Sequence, residues 1–368
     1  MQKIVVFSNM YPSSDHPTYG IFVKNQVNLL KSAGLDVDVI AIEEPGKGKI
    51  QTLKKYAGWF FRSLANLMKN KKKISLTHAH YAFPTGLLSL IGKKWLGLPY
   101  VVTVHGGDID KMAAKNARIA KMTKSILQQA QAVIVVGEKL RKEVIDRFGV
   151  PDSRVHLISM GVDTDVFKPI PKLEAKETLG FQADKRIILF VGNVIRAKGL
   201  LELAEAFGKI KPDFPDTVLF IAGSQKDQNF TEELQQFIQE KAIKDVQFKG
   251  PLSQPVLARW MAAADVLALP SHHEGFGLVA LEAMAAGTTV VGTDVGGLSY
   301  LLANQAGILV QPEQPDSLAD GLRKALADGP SPIDENKMRE TVAQHSYDNI
   351  LHNLLSIYKA VGKENDRE

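Results

Sequence analysis

Two carboxylates, Glu274 and Glu282, with seven residues between them, stand in ADVLALPSHHEGFGLVALEAMAAGTTVVGTDVGGLSYLL, residues 264–302. Gly275 and Gly277 leave the backbone bare beside Glu274, so a ligand can approach the main-chain N–H groups closely. The pattern predicts a helix from about Leu278 to Ala286, closed by Gly287. The N-terminus of such a helix presents unpaired N–H groups and the positive end of the helix dipole, which together attract an anion. Glu282 lies four residues past Leu278, about 6 Å along the axis at roughly 1.5 Å per residue. Its side chain leans back toward the helix start. A diphosphate at the helix end and a sugar diol one turn away describe the binding of a nucleotide-sugar. The plain alternatives are a surface glutamate and an ordinary turn. Leu278, Val279, Leu281 and Met284 make the helix apolar, and unpaired carboxylates are rare in such surroundings, which favours a ligand.

The elements that must hold these groups are an apolar strand at Val266–Leu269, a turn opened by Pro270 and Ser271, the helix, and a second strand at Thr289–Thr293. This is a βαβ unit of a parallel sheet. Other groups recur at equivalent places. The strand at Tyr100–His105 ends in HGGD, which puts His105 at the sheet edge that carries ligands; Gly106 and Gly107 are explained equally well by the turn itself. The strand IILFVG ends at Gly192 and is followed by Asn193, Arg196 and Lys198 before a helix. Those cations either meet the same diphosphate or are exposed on a loop. Gly20 opens a helix after the first strand, Lys3–Ser8, and either admits a phosphate or sugar or is a simple loop glycine. No G-x-G-x-x-G follows that strand, which argues against a dinucleotide.

Residues 54–73 carry seven basic side chains and no acidic one, with Trp59, Phe60, Phe61, Leu64, Leu67 and Met68 at helical spacing. Such a helix suits an anionic membrane surface; packing of its apolar stripe into the core is the alternative. D-x-D pairs occur at Asp36–Asp38, Asp108–Asp110 and Asp163–Asp165, and are read as structural rather than metal-binding.

A chain of 368 residues exceeds one ordinary core, so two domains are expected. Apolar content of 45%, charged content of 23% and a net charge of +5 are ordinary globular values and call for no nucleic acid. The absence of cysteine excludes disulfides and thiolate metal sites and fits a reducing cytosol. No signal-peptide pattern opens the sequence and no apolar run reaches the 18 or so residues of a membrane span. Strands and helices alternate through residue 158, a Pro- and Gly-bearing stretch at about 161–184 is the linker candidate, and a second alternating series starts at Arg186. The terminal helix, Tyr347–Val361, could cap the second domain or return to the first.

Taken together, these motifs resemble the family-4 retaining glycosyltransferases of GT-B architecture. The E-x7-E signature falls on Glu274 and Glu282, the glycine–lysine turn on Gly192 through Lys198–Gly199, and HGGD at His105 and GVD at Gly161–Asp163 also match. The opening GIFVKNQ is similar to members building bacterial cell-wall and secreted polysaccharides, including teichuronic-acid-type transferases.

The resemblance implies an α/β fold of two doubly wound, Rossmann-like domains facing across a cleft. These are residues 1–165 with the returning helix 346–362, and the nucleotide-sugar domain 166–345. It implies that Glu282 accepts hydrogen bonds from the ribose, and that Glu274 with the backbone of Gly275, Phe276, Gly277 and Leu278 holds the donor sugar and diphosphate. Lys198 neutralises the leaving diphosphate and His105 contacts the donor sugar. Asn193 stands where an arginine is usual, and Arg196 is the substitute cation. Gly20 and Gly192 complete the donor set. The implied reaction is metal-independent, retaining hexosyl transfer from a UDP-linked donor to a glycan or lipid-linked hydroxyl, without a cofactor. The expected setting is the cytoplasm, peripherally at the inner membrane face. A nucleotide-sugar epimerase of the same fold and a non-catalytic binding protein are the competing readings.

Overall fold

Short apolar runs such as IVVFS and IILFV read as strands covered on both faces, and that is what they become. The structure, a computed structural model, describes residues 3–16, 19–44, 49–328 and 333–365. It divides into one unit of residues 1–160 with 348–368 and a second of residues 161–347.

In the first unit, β1 (Lys3–Ser8), β2 (Asp36–Ala41), β3 (Ile74–His80), β4 (Tyr100–Val104), β5 (Ala132–Val135) and β6 (Val155–Leu157) form a parallel sheet in the order β2-β1-β3-β4-β5-β6. In the second, β7 (Arg186–Val191), β8 (Thr217–Ala222), β9 (Val246–Lys249), β10 (Val266–Leu269), β11 (Thr289–Thr293) and β12 (Ile308–Val310) form another, ordered β12-β11-β10-β7-β8-β9. Every strand pair is parallel. Strand order reverses between β1 and β3 in the first sheet and between β7 and β10 in the second. Ligands of doubly wound sheets bind beyond the carboxyl ends of strands at such a switch point.

The terminal helix, Tyr347–Asn365, belongs to the first unit. Its Ile350, Leu354, Ile357, Tyr358 and Val361 bury against Ile4, Val6, Val23 and Leu30. The Tyr358 hydroxyl lies 2.6 Å from His78 Nδ1 on β3.

Residues 161–184 are no free linker. Phe167 and Ala175 are core residues of the second unit. The helix Lys172–Thr178 places Lys172 and Lys176 on Asp265, each at 3.1 Å. Val162 donates its N–H to His345 O at 2.9 Å, so the chain joins the second unit at Gly161, five residues before the expected boundary.

The basic segment forms a helix over Lys49–Asn70 and a 3-10 turn over Lys71–Lys73. Its Trp59 and Leu67 bury against Val5, Phe7, Ile40 and Leu88, and the Trp59 indole N–H donates to Ile40 O at 3.0 Å. That stripe is therefore core. A second face remains outside: Phe61 and Met68, two turns apart, are 69% and 68% exposed, and Trp95 on the helix Thr85–Leu96 is 71% exposed. No described helix is long and apolar enough to cross a membrane.

Candidate functional site

At the switch point of the second sheet two loops meet. The loop after β7 runs from Gly192 through a 3-10 turn at Arg196–Lys198 to the helix Leu200–Ile210. The loop after β10 runs from Pro270 to Gly277. Backbone forces their contact: His272 donates its N–H to Ala197 O at 3.0 Å, and a Cβ on Gly199 would lie 1.9 Å from Pro270 O. Only glycine, here at φ +67°, permits that approach.

The contact brings Lys198 to Glu274, 76 residues later in the chain. Lys198 Nζ donates to Glu274 Oε2 at 2.6 Å, and the Ser271 hydroxyl donates to the same oxygen at 3.2 Å. Both charged side chains are partly exposed, so this pair remains reachable by a ligand. The helix Leu278–Ala285 begins beside them, with Gly277 at φ +93° as its N-cap. Among the described residues, none lies within 4 Å of where a Cβ on Gly275 would stand, so the backbone there is open to them. A cation, a carboxylate and uncapped helix N–H groups thus share one loop cluster, which suits a phosphorylated, hydroxyl-bearing ligand.

Glu282 is half-buried in the same helix among Ala280, Leu281, Ala283, Met284 and Ala285. Desolvation pushes its carboxyl up to about 8; a hydrogen bond with the Gln254 side chain works in the opposite direction. Below that pH the carboxyl keeps its proton, and a ligand whose hydroxyls donate to it must displace that proton.

In the first unit the loops after β1, β3 and β4 converge. The His105 imidazole contacts Tyr81 (ring centroids 4.6 Å apart), Phe22 (5.0 Å) and His80 (5.4 Å). Burial lowers its pKa to about 3, and the nearby His78 adds to that effect, so the ring is neutral. Asp108 of HGGD is buried, and its carboxylate accepts N–H groups from Ala82 (2.7 Å), His105 (3.2 Å) and Gly106 (3.1 Å). It pins the loop after β3 to the loop after β4. Burial raises its carboxyl to about 6 against those stabilising hydrogen bonds.

Comparison with known proteins gives this geometry a family. Residues 20–166 match the model "Glycosyltransferase Family 4" and residues 171–345 match "Glycosyl transferases group 1". An uncharacterized glycosyltransferase of Methanocaldococcus jannaschii is 32% identical over 275 residues, covering 71% of this chain and 69% of the relative. The chain belongs to the family-4 glycosyltransferases.

TuaC of Bacillus subtilis, assigned by name to teichuronic acid biosynthesis as a glycosyltransferase, is 27% identical over 88% of both chains. The crystal structure of HepE from Anabaena, holding UDP and glucose, matches with a TM-score of 0.76 at 19% identity, over 98% of this chain and all of that one. The two parallel sheets are accordingly those of a GT-B glycosyltransferase.

In this glycosyltransferase, Gly192, Asn193, Lys198, Glu274, Gly275, Phe276, Gly277, Leu278 and Glu282 lie on the switch-point loops of the second unit or the helix they lead into. Gly20 and His105 belong to the first unit. Arg196 departs from the expected set: its guanidinium pairs with Glu233 and lies 5.3 Å over the Phe230 ring, away from Glu274. Lys198 is thus the one of the two cations that meets the signature glutamate. Gly20, at φ +72°, abuts the Met10 main chain, where a Cβ would come within 2.5 Å, so close backbone packing already accounts for this glycine.

Gln254, His78 and His80 carry no motif and were not among the expected residues, whereas Ser271 was expected only as a turn residue and Asp108 only as structural. Histidines at 78 and 80 alternate on one strand face, and that period of two is the signal that would have found them. The three D-x-D pairs are otherwise engaged where described. Lys3 pairs with Asp36 and Asp38, Asp108 clasps backbone, and Asp163 accepts N–H groups from Asp165 and Val166.

Proposed function

We propose that this glycosyltransferase moves a sugar from a UDP-linked donor, with retention of anomeric configuration, to a hydroxyl of a glycan or lipid-linked acceptor in bacterial surface polysaccharide synthesis. The observation that carries the reading is the Lys198–Glu274 pair beside an open helix N-terminus, with a desolvated carboxyl at Glu282 one turn in. The donor diphosphate takes Lys198 and the helix N–H groups, Glu274 holds sugar hydroxyls, and Glu282 receives the ribose diol. The bond from the anomeric carbon to the β-phosphate oxygen breaks, and the acceptor oxygen bonds to that carbon on the same face. The acceptor proton passes to the leaving diphosphate. The protein's share is alignment and stabilisation of the departing charge. HepE, which shares the fold, holds UDP and glucose, and TuaC is named for teichuronic acid biosynthesis; both support this reading.

The test is a panel of nucleotide-sugars with and without hydroxyl acceptors, read by product NMR. Acceptor-dependent transfer with an unchanged anomer is expected. Epimerised donor in the absence of acceptor would instead establish the epimerase, and tight binding without turnover the binding protein. Turnover should survive EDTA, because Lys198 and the helix end carry the diphosphate charge; loss of activity restored by manganese would overturn the metal-independent reading.

The proposed setting is the cytoplasmic face of the membrane. Residues 45–107 hold eleven of the 45 lysines and arginines and none of the 40 acidic residues, leaving 34 basic against 40 acidic residues elsewhere. Exposed Phe61 and Met68 lie within that field. Vesicles containing anionic lipid are expected to bind the protein at low salt. The double variant Phe61→Ser, Met68→Ser should reduce binding about tenfold, whereas Trp59→Phe, in the core, should not. Equal binding to neutral vesicles would remove this placement.

A further inference from the structure

Three histidines stack in a column inside the first unit, and only the outermost, His105, is among the residues expected at the donor. His78 and His80, both fully buried on one face of β3, have ring centroids 4.7 Å apart at an interplanar angle of 25°. His80 continues onto His105 at 5.4 Å and 22°. At the inner end His78 is satisfied at both nitrogens, by the Tyr358 hydroxyl at 2.6 Å and the Thr103 hydroxyl at 2.7 Å. His80 is different: its Nδ1 lies 3.2 Å from His105 Nε2, and its buried Nε2 has no hydrogen-bond partner among the described residues.

Burial keeps both rings neutral, so each carries one N–H and the contact between them holds one proton. Two arrangements satisfy it. If His105 Nε2 carries the proton, His80 must carry its own at Nε2, a buried N–H with no acceptor. Orphaned buried donors are rarer than under-satisfied acceptors, and each costs about 1–3 kcal/mol. If His80 donates from Nδ1, its Nε2 buries only a lone pair, and His105 accepts at Nε2 and carries its proton at Nδ1.

We propose that His80 is a positioning residue that locks His105 in the Nδ1–H tautomer, so that His105 presents an uncharged hydrogen-bond donor suited to a sugar hydroxyl or phosphate oxygen of a substrate. That use of the proton rests on the function proposed above; the tautomer does not. Tyr81 and Phe22 hold the ring plane. Tyr81 itself sits at φ +75°, a left-handed conformation that a bulky residue adopts only when its surroundings enforce it. Its N–H donates to Thr103 O at 2.8 Å, and its carbonyl accepts the Thr85 hydroxyl at 2.6 Å. The imidazole therefore has a fixed place, and His80 adds a fixed proton.

The test is nitrogen-15 NMR of histidine-labelled full-length protein without substrate, combined with kinetics. His105 is expected as the Nδ1–H tautomer in the wild type and shifted toward Nε2–H in His80→Phe, which keeps an aromatic ring and removes the donor. His80→Asn places an amide N–H near the former Nδ1 and should restore the Nδ1–H tautomer. With donor present, His80→Phe should lower kcat about 10- to 100-fold with KM for the donor changed less than about threefold, and His80→Asn should recover most of the loss. Wild-type His105 protonated at Nε2, or equal kcat in wild type and His80→Phe, overturns the proposal. A protein with the expected tautomer and no transfer activity would instead count against the proposed function.

Discussion

Replacing Lys198 with alanine is expected to lower kcat about 10²- to 10³-fold, the loss seen when one preorganised stabiliser of a developing charge is removed. Lys198 Nζ is held 2.6 Å from Glu274 Oε2 and 3.5 Å from the Ser271 hydroxyl, so its position is fixed before substrate arrives. In the proposed reaction the diphosphate gains charge as the glycosidic bond breaks. A cation that strengthens its hold during that step raises kcat rather than ground-state affinity. Donor KM should accordingly change much less than kcat. Lys198→Arg should rescue only part of the loss, since a planar fork replaces a compact point charge in a site shaped around Glu274. Glu274→Gln should instead raise KM, because it frees Lys198 but weakens the grip on sugar hydroxyls. Both side chains are partly solvated, so the Lys198→Ala protein should stay folded with a small change in Tm. Wild-type kcat in Lys198→Ala would sink the assignment.

The two sheets were legible because strands buried on both faces read as short apolar runs, and Lys3–Ser8 and Thr289–Thr293 are short and rich in β-branched residues. The terminal helix shows an apolar stripe, but a stripe names no partner. Its return to the first unit is made by contacts far along the chain, among them Tyr358 with His78, 280 residues away. Pro and Gly between residues 161 and 184 signalled a linker, yet turns also occur in packed chain, and Phe167 and Lys176 tie this stretch to the second core. In the basic helix one apolar period hid two faces, one buried through Trp59 and Leu67 and one exposed through Phe61 and Met68. The E-x7-E spacing is local and readable. The partners of its members are not: Glu274 finds Lys198, Arg196 finds Glu233, and neither pairing follows from spacing along the chain.

Glu282 gives the other large effect, and its sign follows from where its proton sits. Burial pushes its carboxyl up to about 8 in the folded protein from an ordinary value of 4.5, so between those values the folded protein holds a proton that the unfolded chain has lost. Stability therefore falls as pH rises from about 5 toward 8 and levels off above that. Glu282→Gln keeps the shape, removes the titration and should flatten this part of the curve, leaving the variant more stable than wild type at pH 9. At about 1.36 kcal/mol per tenfold change in proton affinity, the difference is bounded at ~5 kcal/mol. Donor binding should show the opposite trend. A ribose diol donates to the carboxylate, so binding below pH 8 must expel the proton, and wild-type affinity should tighten as pH rises to about 8. Two charge-assisted hydrogen bonds lost together should weaken donor binding about 10²- to 10³-fold in Glu282→Gln at pH 8, and without that pH dependence. Calorimetry in buffers of different ionisation enthalpy would count the proton directly: one released on donor binding at pH 7 in the wild type, none in the variant. A variant that binds donor like the wild type across pH 6–9 would show that Glu282 is a core carboxyl without a ribose to hold.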